Sequence, residues 1–365
     1  MKVVFRTDAS IRIGTGHVMR CLTLAEELRR QGHTCSFVCR DLQGHMGPVI
    51  SDRGFGVELL KAPVSGDLAQ LDKGIPHAPL LGVPWQLDAS ETRAALNHLD
   101  PDWLIVDHYA LDAQWEQYTS VATKKTMVID DLADRSHHAD VLLDQNAVSL
   151  DTRERYTARI NSDCVLLLGP HFALLGSDYA SCAKALPRRD GTISRVLVFV
   201  GGSDPYHLTE TYLEVLNREE FASLSLDVVI GRNHPSPENV EGLVKNRAKA
   251  RLYSGLPTLS ALMIRADLML GAGGATNWER MCLGLNSIVV SVAPNQDQVN
   301  QELQSKGLIK FLGKAENVHP ETIATALQEQ VESPALMEAR AEKMRALVDG
   351  QGCKRVVQTL TDQVA

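Results

Sequence analysis

The sequence predicts an α/β protein made of two Rossmann-like domains, each with a parallel sheet. Short aliphatic runs alternate with longer helical patterns along the chain, which is the rhythm of βα units, and several runs are continuously apolar, as strands covered on both faces must be. At 365 residues the chain exceeds the size at which a single core stops growing. A polar stretch with Pro187 and Gly191 then interrupts the pattern just before a fresh apolar run, which marks residues 185–194 as a linker.

In the first domain, residues 1–184, the strands are expected at 2–6, 34–39, 56–60, 103–106, 126–129, 141–143 and 165–168. In the second, residues 195–345, they are expected at 195–200, 226–230, 251–253, 268–270 and 288–292, with helices starting near His207, Pro237, Pro257, Thr276 and Gln296. Residues 346–365 are expected to form a C-terminal helix that crosses back to the first domain.

The composition, 44% apolar and 22% charged, is that of an ordinary globular chain. A net charge of -8 offers no general attraction to phosphate polymers, so no nucleic-acid partner is expected. The opening Met1-Lys2-Val3-Val4-Phe5-Arg6 has the pattern of a strand and lacks that of a signal peptide, and no apolar run is long enough to span a bilayer. A cytoplasmic protein without membrane insertion is the expectation; oligomeric state is left open. The seven cysteines are scattered and form no Cys-x-x-Cys pair, which points to free structural thiols. His137-His138 lacks an obvious third ligand and is expected at the surface, and Asp100-Pro101-Asp102 stands before a strand and is expected to form a turn. No cofactor and no catalytic metal are expected.

Two glycine-rich segments sit where a strand passes into a helix. The first runs from Thr7 and Asp8 through Gly14 and Gly16 to His17. Glycines there allow a ligand close to the backbone, and free amides at a helix start favour anionic groups. The spacing matches neither a dinucleotide fingerprint nor a P-loop. His17 feels the positive end of the helix dipole, which favours the neutral imidazole that a general base requires, and Asp8 is placed to orient it. The alternative is that His17 only caps the helix and Asp8 only turns the loop. The second segment is Gly271-Ala272-Gly273-Gly274-Ala275-Thr276, with Glu279 one turn into the helix. Its amides and the Thr276 hydroxyl suit phosphate oxygens, and Glu279 suits a ribose diol. A plain tight turn is the alternative. Further candidates follow other strands: Gly201-Gly202-Ser203-Asp204, Gly231-Arg232-Asn233, Asp107-His108-Tyr109, and Asn295-Gln296-Asp297-Gln298 with Asn300.

Taken together, Phe5-Arg6-x-Asp8, Gly14-x-Gly16-His17-x-x-Arg20, Asp107-His108-Tyr109, Gly201-Gly202-Ser203-Asp204 and Asn295-Gln296 resemble, in order and spacing, the UDP-sugar hydrolases of pseudaminic acid biosynthesis, over residues 1–312. The resemblance implies a glycosyltransferase type B-like fold with the active site in the interdomain cleft. It implies hydrolysis of UDP-2,4-diacetamido-2,4,6-trideoxy-β-L-altropyranose to UDP and free sugar. His17 then matches the catalytic histidine, Asn295 the sugar-side asparagine and Tyr109 the cleft tyrosine. Arg6, Asp8, Gly14, Gly16 and Gln296 complete the implied substrate side, and Gly231, Gly273, Gly274, Ala275, Thr276 and Glu279 the UDP side. Where some relatives carry serines, the turn here reads Gly-Ala-Gly-Gly, which leaves phosphate contacts to backbone amides. Two other functions share this fold: transfer of the sugar to an acceptor, and nucleotide-sugar binding without catalysis.

Overall fold

In the computed structural model, which describes all residues except 65, 68–73, 75–76, 147–150, 232 and 365, the chain forms two compact units. The first is Met1–Gly176 with Gln351–Ala365, and the second is Ser177–Gly350.

The first unit is built on seven strands: β1 (Lys2–Thr7), β2 (Thr34–Arg40), β3 (Gly56–Leu60), β4 (Trp103–Asp107), β5 (Lys125–Ile129), β6 (Val141–Asp144) and β7 (Val165–Leu168). They lie in the order β3-β2-β1-β4-β5-β6-β7, every pair parallel. Because side chains alternate along a strand, Val3 and Phe5 enter the core on one face while Val4 enters the core on the other. The helix Gly352–Asp362 belongs to this unit. Its Val356, Val357 and Leu360 are fully buried with Val3 and Phe5, each contributing about 1.5–3 kcal/mol, and the Trp103 indole N–H donates to the Leu360 carbonyl at 3.2 Å.

The second unit carries β8 (Arg195–Phe199), β9 (Ser225–Ile230), β10 (Ala250–Ser254), β11 (Leu268–Ala272), β12 (Asn286–Ser291) and β13 (Lys310–Lys314). Their order is β10-β9-β8-β11-β12-β13, again all parallel. Two features differ from expectation. Residues 185–194 do not separate the units, which part at Gly176 and Ser177; Arg189 ties this stretch into the second unit through the carbonyls of Met263 at 2.9 Å and Leu283 at 3.1 Å. The edge strand β13 was not expected, because Lys310 and Lys314 bracket only three residues of a half-buried run.

In each sheet the strand order reverses once, between β1 and β4 and between β8 and β11. Ligands of open α/β sheets bind at the carboxyl ends of strands beside such a reversal. His17 and Asp107 flank the first of these points, and the glycine segments 201–202 and 271–274 flank the second.

Candidate active site

After β1 the chain loops through Gly14, whose positive φ of 81° suits glycine, and enters the helix Gly16–Arg30. Gly16 has neither a positive φ nor any atom within 4 Å of the place a Cβ would occupy. Nothing among the described residues requires glycine there.

His17, only 7% exposed, places Nδ1 2.6 Å from Asp107 Oδ1 at the end of β4. An ionised carboxylate only accepts, so Nδ1 carries a proton, and in the neutral ring Nε2 keeps its lone pair; no hydrogen bond among the described residues engages Nε2. Arg20, one turn further along the helix, grips the same carboxylate twice, Nε to Oδ2 at 2.6 Å and a terminal nitrogen to Oδ1 at 2.7 Å. Burial opposes the charge on Asp107, but Arg20 and His17 override it and hold the carboxyl well below the usual range. Arg20 also reaches Asp131 at 3.0 Å, and Asp131 accepts from the Tyr109 hydroxyl at 2.9 Å and the Asn146 amide at 3.1 Å. The Tyr109 ring meets His17 edge to face, centroids 4.5 Å apart. Burial and the Asp131 charge push the Tyr109 phenol upward, so it stays protonated.

Asp8 does not orient His17; Asp107 does. Arg6 and Asp8 are both fully buried and bond each other at 2.6 and 3.0 Å. Asp8 also takes the Arg40 backbone N–H at 2.6 Å, while Arg6 and Arg40 share Asp88, which accepts the Trp115 indole N–H as well. In this network the buried charges of Arg6, Asp8, Arg40 and Asp88 are paired with one another away from solvent. Alternation explains the difference: Asp8 pairs with Arg6 on the face that Val4 takes, whereas the helix carrying His17 packs against the face of Val3 and Phe5.

In the second unit several glycines answer to internal packing. A Cβ on Gly231 would fall 2.0 Å from the Gly202 carbonyl, one on Gly271 2.3 Å from that of Phe199, and one on Gly273 2.4 Å from the Asn300 amide. Gly274 has a φ of 94°. Gly202, by contrast, faces open space. The turn stands on a buried network that takes in the candidate Asn300 and adds Asn277, Arg280 and Ser291: Asn277 donates to Asn300 at 3.0 Å, Asn300 to Ser291 at 3.0 Å, and Arg280 to Asn277 and to the Ala272 carbonyl. Ala275 and Thr276 are at least partly exposed at the start of the helix Thr276–Cys282, which has only seven residues and hence a small dipole. Gln296 accepts the Val292 N–H at 3.0 Å and places its amide nitrogen 3.6 Å from the Cβ position of Gly274; Asn295 beside it is exposed. Glu279 is half-buried, and burial pushes it up to about 7 against the opposing pull of Tyr179 and Arg280. Arg232 lies outside the described residues.

Among the described residues one group has the composition of a metal site: Asp204, Glu210 and His234. His234 Nε2 lies 3.5 Å from Asp204 and 3.6 Å from Glu210. However, the Ser236 N–H donates to His234 Nδ1 at 3.2 Å, which puts the proton on Nε2 and makes the atom aimed at the carboxylates a donor. His108 repeats this arrangement in the first unit, accepting the Ala110 N–H at Nδ1 and aiming Nε2 at Asp8, 3.4 Å away. Asp204 meanwhile caps the helix Leu208–Leu216 through the N–H groups of Leu208 and Thr209. His137 is buried, not at the surface: Glu116 accepts from it at 2.7 Å, and against the effect of burial Glu116 and Asp130 raise it to about 9. All seven cysteines are free. Among the described residues no helix is long and apolar enough to cross a membrane.

No family model matches the chain. It is 24% identical over 308 residues to a UDP-2,4-diacetamido-2,4,6-trideoxy-beta-L-altropyranose hydrolase of Campylobacter jejuni, covering 84% of this chain and 97% of that protein. It is 26% identical over 222 residues to the spore coat polysaccharide biosynthesis protein SpsG of Bacillus subtilis, covering 60% of this chain and 63% of SpsG. An uncharacterized protein of Methanocaldococcus jannaschii is 23% identical over 325 residues, which are 87% of this chain but 60% of the relative. The chain thus spans less than two thirds of the length of the last two. Among solved structures, MurG of Acinetobacter baumannii superposes with a TM-score of 0.67 at 15% identity, over 99% of both chains. The Medicago truncatula glycosyltransferase UGT71G1, solved with UDP-glucose, gives 0.65 at 11% identity, over 100% of this chain and 98% of its own. In fold, therefore, the chain is a two-unit, parallel-sheet α/β protein of the glycosyltransferase type B kind.

Proposed function

We propose that this protein hydrolyses a UDP-linked 2,4-diacetamido-2,4,6-trideoxy sugar to UDP and the free sugar. The observation that carries the proposal is the His17–Asp107 pair, which fixes the proton on Nδ1 and leaves Nε2 to act as a base beside the strand reversal. A water attacks the anomeric carbon, the new carbon–oxygen bond forms, and the bond from that carbon to the β-phosphate oxygen breaks with its electron pair leaving on UDP. The water proton passes to His17 Nε2 and from there to solvent. Asp107 stabilises the imidazolium so formed, and Arg20 keeps Asp107 from taking the proton itself.

We assign Tyr109 and Asn295 to holding the sugar, the Gly273–Thr276 turn to the pyrophosphate, and Glu279 to the ribose hydroxyls. The open space at Gly16 and Gly202 supports ligand approach at both reversals. UDP is a stable leaving group, so no carboxylic acid is needed to protonate it, unlike the two-carboxylate arrangement of most glycosidases. The likeness to the Campylobacter hydrolase over 84% of the chain favours hydrolysis; the many glycosyltransferase folds it resembles favour transfer as the second reading. Incubation with a panel of UDP-diacetamido sugars tests the choice. A hydrolase releases UDP in buffer alone, a transferase only when an acceptor is added, and a binding protein in neither case.

A further inference from the structure

The end of β6 holds a carboxyl that the proposed reaction does not use. Asp144 is 1% exposed and faces Asp130 and Asp131 from the end of β5, and Arg155 and Tyr156 from the helix Asp151–Thr157. Two counts bear on its state. The first is of charge: Asp130 is paired with Arg135 at 2.7 Å and Asp131 with Arg20 at 3.0 Å, whereas no cation among the described residues lies within ion-pair distance of Asp144. The second is of hydrogens. The Tyr156 hydroxyl has one proton and lies 2.9 Å from Asp130 Oδ2 and 3.2 Å from Asp144 Oδ2. The shorter bond to the paired, ionised Asp130 takes that proton, which leaves two oxygens facing each other at 3.2 Å unless Asp144 supplies one of its own.

We propose that Asp144 is held as the neutral carboxylic acid, donating its proton to the Tyr156 hydroxyl oxygen, and that this proton is a pH-sensitive latch on the frame around His17. The frame is continuous. The Asn146 backbone N–H donates to Asp144 at 2.8 Å, the Asn146 side chain to Asp131, and Asp131 holds both Arg20 and Tyr109. Burial, reinforced by Asp131 and Asp130, lifts Asp144 to about 8, against the Asn146 N–H and Arg155. Loss of the proton would place a third charge beside Asp130 and Asp131 and break the bond between Asp144 and Tyr156.

The inference concerns the fold and does not depend on the proposed reaction. Since the folded value lies above the unfolded one, the folded protein binds more protons between about pH 4 and pH 8, so stability contributed by this group is full in acid and lost as pH rises. The test compares the melting temperature of the full chain and of Asp144→Asn across that range. The expected result is that the wild type falls relative to the variant as pH rises and that the gap levels off above about pH 8. Parallel profiles would overturn the proposal. Carbon-13 NMR of aspartate-labelled wild-type protein decides independently, should the variant fail to fold. One carboxyl titrating near 8 is expected, and titration of every aspartate in the ordinary acid range would refute it.

Discussion

Replacing Asp107 by Asn is the perturbation that most sharply separates a positioned base from a buried structural histidine. The carboxylate accepts the Nδ1 proton of His17 at 2.6 Å and two Arg20 donors at 2.6 and 2.7 Å. An amide has one oxygen and one NH₂, so it must set a donor against either His17 or Arg20. With the NH₂ toward His17, Nδ1 becomes the acceptor and the proton moves to Nε2, which removes the base. Turnover should then fall by about 10²- to 10⁴-fold, the usual worth of a positioned base, which is about 3 to 5 kcal/mol in the barrier. Arg20 keeps Asp131, so the cost in stability stays near the 1–3 kcal/mol of a lost charge-assisted bond. The assay pairs initial rates of UDP release with calorimetric UDP affinity, the latter expected to be unchanged. Undiminished turnover in a folded Asp107→Asn protein would refute the role given to this pair.

Two further substitutions probe the other assignments. Glu279→Ala should weaken UDP binding by about 1–3 kcal/mol by removing an acceptor for the ribose; because burial lifts Glu279 to about 7, wild-type affinity should rise as pH increases through 7 while that of Glu279→Gln stays level, and calorimetry at several pH values would expose the opposite. Asp88→Ala removes the carboxylate that the Arg6 and Arg40 guanidinium groups and the Trp115 indole share, and should cost about 3–5 kcal/mol in urea unfolding at neutral pH. Burial disfavours the Asp88 charge, but Arg6 and Arg40 hold the carboxyl well below its usual range, so this contribution is full above the unfolded value of about 4 and is lost as pH falls further. A deficit that does not narrow in acid would contradict the pairing.

The strands were legible because both faces of each sheet are covered, which turns them into unbroken apolar runs such as 103–106 and 141–143. Lys310–Lys314 escaped notice because an edge strand has one neighbour and tolerates lysines. In the site, His17 and the glycines stood out through spacing along the chain. Their supports did not, since Asp107 and Asp131 are brought to His17 by the β1–β4–β5 order, over separations of 90 and 114 residues that no local pattern encodes. The Arg20 position in Gly16-His17-x-x-Arg20 was the available signal: three residues along a helix put it on the same face as His17. Asn300 was among the sequence candidates, whereas the other buried supports of the second turn, Asn277 and Arg280, look in sequence like surface residues of an amphipathic helix. Gly273 permits the close approach of the Asn300 amide, to which Asn277 donates.

Oxygen tracing distinguishes attack of water at the anomeric carbon from attack at phosphorus. Attack at carbon puts solvent oxygen on the sugar, whereas attack at the β-phosphorus puts it on UDP. Single turnover of a UDP-diacetamido sugar in ¹⁸O-labelled water, followed by mass spectrometry of both products, should show the label on the free sugar and unlabelled UDP. Label in the β-phosphate of UDP would contradict the role assigned to His17.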